Sequence, residues 1–125
     1  MTMNMAGAWI GMLLGALAGA VTGLFFRDER WLGGYSSWRR RMIRLGHVAF
    51  FGIGLINLGF ALTARSLGIT EGLRLPGALL LFAGGAMPAI CYLSAVRDGF
   101  RHLFFIPAGA VIVALGWIAW KVVTA

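Results

Sequence analysis

Apolar residues fall into four long blocks, 6–26, 43–64, 75–96 and 103–123, separated by short polar segments. Each block holds about 20 residues, which as a helix rising ~1.5 Å per residue covers a hydrocarbon core of ~30 Å. The pattern predicts an all-α membrane protein, a four-helix transmembrane bundle in a single domain. The connections differ in length. Residues 27–42 form the one long linker, and 65–74 and 97–101 are short. Short connections favour antiparallel neighbours, so the bundle is expected to consist of two tandem helical hairpins.

The long linker begins with the mixed-charge cluster Arg27, Asp28, Glu29 and Arg30 and turns at Gly33-Gly34. Ser36 or Ser37 then offers an N-cap, and Trp38 opens the next helix. Trp31, Tyr35 and Trp38 are amphipathic rings suited to headgroup depth, so the linker is expected to lie on the membrane surface. The first apolar block carries no charge in the residues before it and has no small-residue cleavage site. It reads as a retained span rather than a signal peptide.

Composition agrees with this class. A hydrophobic fraction of 60% would be extreme for a water-soluble fold, and it suits a bundle in lipid. The net charge of +7 would suggest nucleic acid if it formed one patch, but its distribution argues against that. Arg27, Arg30, Arg39, Arg40, Arg41, Arg44, Arg97 and Arg101 lie on one side of the predicted bundle, against Arg65, Arg74 and Lys121 on the other. The positive-inside rule places the richer side in the cytoplasm and both termini outside. These arginines are expected to set topology and to touch anionic lipid headgroups. A bacterial inner membrane is the expected location. Cys91, the one cysteine, has no internal disulfide partner.

The most regular motif is in the first block. Gly7, Gly11, Gly15, Gly19 and Gly23 repeat every fourth residue and share one helix face, in the manner of a glycine zipper. In lipid, small residues at this spacing mark close helix–helix contact. The contact is either inside this bundle or with a partner subunit or second copy.

The chemistry-bearing candidates are the two histidines. His47 and His102 follow Arg44 and Arg101 at the cytoplasmic starts of the second and fourth spans, and Gly54 and Gly109 follow each histidine at the same offset. Two imidazoles at one depth could ligate a b-type haem, or one could donate to a quinone carbonyl. In that reading Arg44 and Arg101 hold propionates, Gly54 and Gly109 leave room for a flat macrocycle, and Phe50, Phe51, Phe104 and Phe105 line it. The simpler reading makes both histidines interfacial polar residues. Matching the histidines also aligns Phe50 with Phe105, a faint repeat of the two halves with the same orientation.

Asn57, at mid-span, must face the bundle, where a carbonyl freed by Pro88 is its expected partner. Pro88 and Pro107 are each expected to remove a backbone bond and bend their helices. No Asp, Glu or Lys lies within the interior of any span, which argues against proton-coupled transport. Only Asn57, Thr22 and Ser94 offer a polar path for a small solute. No H-E-x-x-H or similar pattern is present, so hydrolytic metal chemistry has no visible constellation. The sequence favours a non-enzymatic accessory or assembly subunit of a larger membrane complex. The alternatives are a haem-bearing electron carrier and a small-solute channel.

Overall fold

The computed structural model describes residues 2–125. It contains four long helices, α1 (Thr2–Phe25), α2 (Trp38–Leu67), α3 (Arg74–Val96) and α4 (Phe105–Val123), each long and apolar enough to cross a membrane. The protein is an all-α bundle of four candidate spans. Two 3₁₀ segments, Trp31–Gly33 and Asp98–Leu103, lie in the connections after α1 and α3.

The centre of the bundle is the α2–α3 pair. α1 packs along α2 and touches α3 over a shorter stretch, and α4 packs on α3. One core cluster joins Phe60 and Ala64 of α2, Leu80 of α3 and Ala114 of α4; another joins Ile53, Ala83 and Ala110. Alanines at these contacts let backbones approach, the route to tight packing where lipid removes any hydrophobic drive.

The helix ends extend beyond the apolar blocks. At 30 residues, α2 is about 45 Å long, so its first turns run past a ~30 Å hydrocarbon core. Ser37 caps it, its Oγ accepting from the Arg40 amide at 3.2 Å. Gly68 ends it in the left-handed region at φ 64°, which a glycine adopts without penalty. The α2–α3 loop is then tied to α4, as Trp117 Nε1 donates to the Gly72 carbonyl at 2.8 Å. Pro107 departs from the expected bend. The 3₁₀ segment takes up residues 98–103, so Pro107 sits in the first turn of α4, where its missing N–H had no helical partner to lose.

Candidate functional site

The glycine face of α1 is filled by the chain's own bundle over most of its length. A Cβ on Gly15 would lie 2.8 Å from Phe50 Cβ and 3.0 Å from the Phe51 ring. One on Gly19 would overlap the His47 imidazole, and one on Gly7 would meet the Leu81 side chain. Gly11 lies over the Phe50 carbonyl, and Gly23 has open space. The strip therefore receives α2 at three glycines and α3 at a fourth, and Gly23 lies beyond the contact.

His47 is the polar centre of this seam. Its Nδ1 lies 2.8 Å from the Gly15 carbonyl oxygen. A carbonyl only accepts, so Nδ1 carries the proton and donates. The Phe51 ring closes edge-on against the imidazole at 5.2 Å between centroids. Gly15 thus serves α2 twice, with its bare Cα against Phe50 and its carbonyl against His47.

His102 has a different setting. It is exposed, on the 3₁₀ segment that packs against α3. His47, by contrast, lies on the face of α2 that α1 covers. Their arginines each meet an aromatic ring of the linker or of the start of α2. Arg44 donates to the Tyr35 carbonyl at 3.2 Å and stacks over the Tyr35 ring, while Arg101 lies over Trp38. The two offset glycines also differ. A Cβ on Gly54 would press on Met12 and on the Ala8 carbonyl of α1, whereas Gly109 faces open space. Of the four phenylalanines, Phe105 is exposed and Phe50 and Phe51 pack against α1.

Arg40 is not a headgroup arginine. It is buried, with Nε donating to the Trp31 carbonyl at 2.7 Å and Nη2 donating to the Asp28 carbonyl. Its guanidinium lies over the Phe26 and Trp31 rings. The turn it holds needs holding, because Leu32 has φ 52°, a left-handed conformation that costs a side-chain-bearing residue about 1–2 kcal/mol. Three consecutive arginines point about 100° apart around a helix, so one of Arg39, Arg40 and Arg41 had to face the bundle. That geometry is the signal in the sequence that sets Arg40 apart from its neighbours. Arg40→Lys is expected to loosen the linker, since a single ammonium cannot serve two carbonyls and two rings. Amide hydrogen exchange at Trp31 and Gly33 should accelerate about tenfold, the worth of ~1.4 kcal/mol for a lost charged hydrogen bond. Arg39→Lys should leave it unchanged; equal acceleration in both would remove the staple role from Arg40.

At the other end of the bundle lies a network of two carboxamides. Asn57 Nδ2 donates to the Ile53 carbonyl at 3.0 Å and the Leu80 carbonyl at 3.1 Å. Two carbonyl acceptors fix the amide orientation, leaving Oδ1 to accept from Asn4 Nδ2 at 2.7 Å. Asn4 also donates to the Gly77 carbonyl at 2.9 Å. The interhelical acceptor is therefore Leu80, one turn away from Gly84, the carbonyl that Pro88 leaves free. Asn4 was not anticipated, since it lies just before the first apolar block. Thr22 bonds the Ala18 carbonyl of its own helix, about 27 Å along α1 from Asn4, and Ser94 is buried without a partner.

Comparisons with protein-family models, curated proteins and solved structures found no match for this chain.

Proposed function

We propose that the protein is a non-enzymatic accessory or assembly subunit of a larger membrane complex, seated in a bacterial inner membrane with the arginine-rich linker in the cytoplasm and both termini outside. One observation carries this reading. The seam residues Asn4, Asn57 and His47 all take their hydrogen-bond partners from the protein's own helices. What remains to act is the outer surface.

On α1 that surface has a defined shape. Trp9, Leu13, Leu17 and Val21 repeat every fourth residue and are exposed, two positions offset from the glycines. Two residues turn a helix by about 200°, so this ridge lies opposite the face that α2 covers. Ridges at this spacing pack into the grooves of another helix. The contact expected of a partner therefore passes from the glycines, which the bundle occupies, to the ridge behind them.

A photo-crosslinking residue placed at position 13 or 17 in native membranes is expected to give one discrete adduct with a different membrane protein. The same residue at position 112 on α4 serves as the lipid-facing reference. An adduct of twice the protein's own mass would assign the ridge to self-association, and lipid adducts alone at all three positions would overturn the proposal.

A further inference from the structure

Two clefts lie at the end of the bundle where α1 and α3 begin. A cleft of about 520 Å³ opens between the first turn of α1 and the start of α3. It falls in the ~300–1,000 Å³ range of small-ligand sites. Met3 and Asn4 form one wall, Phe60 of α2 lies at its back, and Leu73, Ala78 and Leu81 form the other wall. Arg74 stands at its rim, the first residue of α3, and is exposed.

Two further facts give the cleft a polarity. Leu81 lies seven residues below Arg74, about 10 Å deeper along the helix axis. The cleft thus begins at a cation at the membrane edge and runs down an apolar wall into hydrocarbon depth. Its electrostatic setting is positive as well. Among side chains, Arg65, Arg74 and Lys121 occupy this end of the bundle against the carboxylate of Glu71. Arg65 lines a second cleft of about 590 Å³ on the other side of Ile69 and Thr70. At the linker end, by contrast, Arg39, Arg40 and Arg44 give donors to backbone carbonyls.

We propose that the cleft between α1 and α3 is a binding site for an anionic phospholipid, with the phosphate held by Arg74 and an acyl chain lying along Phe60, Leu73 and Leu81. A cation at the interface above an apolar channel matches the order of groups in a phospholipid, from phosphate to hydrocarbon. The three-to-one excess of cations favours a headgroup of net negative charge over a zwitterionic one. The site does not depend on membership of a larger complex.

The test uses the full chain in phosphatidylcholine vesicles carrying a minor fraction of photoactivatable phosphatidylglycerol with its diazirine near the acyl carbonyl. Labelling is expected to concentrate on Met3 and on the 73–81 peptide, above the bulk-lipid level read at Ile112. Arg74→Gln should weaken cleft labelling about fivefold, the worth of one arginine against an anionic surface. Ala78→Trp, which fills the mouth, should abolish it, and Arg97→Gln at the opposite end should leave it unchanged. Where Ala78→Trp fails to fold by circular dichroism, Arg74→Gln decides. Cleft labelling no higher than at Ile112, equal labelling by a phosphatidylcholine probe, or full labelling in Arg74→Gln would each overturn the proposal.

Discussion

Gly15→Leu is expected to cost the protein about 3 kcal/mol or more, the upper part of the range for overpacking a close-packed contact. The added Cβ alone would lie 2.8 Å from Phe50 Cβ. That atom is bonded directly to the α2 backbone, so no rotamer change relieves the clash and the helices must separate. Separation also draws the Gly15 carbonyl away from His47 Nδ1, which it now meets at 2.8 Å. The glycines should therefore rank by what each Cβ would strike. Gly15 is first. Gly19 follows, because the imidazole it would displace can rotate. Gly11, in ordinary contact at 3.6 Å from the Phe50 carbonyl, comes after, and Gly23, with open space, last. Thermal unfolding in mild detergent, followed by tryptophan fluorescence, reads the order. An unchanged midpoint in Gly15→Leu, or an equal loss in Gly23→Leu, would show that α1 does not pack on α2 through this strip.

That ranking could not have been read from the sequence, and the reason is physical. Spacing by four places Gly7 to Gly23 on one face, but the axial extent of the contact depends on where the partner helix lies. The spans themselves were legible, because a stretch of about 20 apolar residues has few other uses. Their ends were not. Thr2 to Met5 and Trp38 to Met42 carry on as helix beyond the apolar blocks, since backbone hydrogen bonding does not stop where hydropathy falls. This displacement hid Asn4.

The histidine pair shows a different limit. Equal depth and matched offsets from Gly54 and Gly109 are one-dimensional facts. Azimuth decides which helix an imidazole meets, and α1 occupies the azimuth of His47. Arg40 was obscured in yet another way, by its neighbours Arg39 and Arg41, which are exposed while it is buried. In each case the sequence showed position along a helix, and the missing coordinate was rotation about its axis.

The same coordinate makes Asn57 the most consequential polar side chain in the bundle. Asn57→Ala removes the hydrogen bonds to Asn4 and Leu80 that cross between helices, along with one to Ile53 in its own. Interhelical polar bonds in lipid are worth ~0.6 kcal/mol on average and up to ~1.7, so losing two predicts about 1–3 kcal/mol. The Leu80 and Ile53 carbonyls lie within helices and retain main-chain partners, so the sharper penalty falls on Asn4. One of its Nδ2 protons is left facing apolar surroundings, and the other stays on Gly77. Asn4→Ala should then cost less once Asn57 is alanine, because the orphaned donor goes with it. A double-mutant cycle on unfolding in detergent should return a coupling of ~0.6–1.7 kcal/mol. Additive losses would mean that the two carboxamides act separately, and α1 would then be held to α2 and α3 by its glycines and His47 alone.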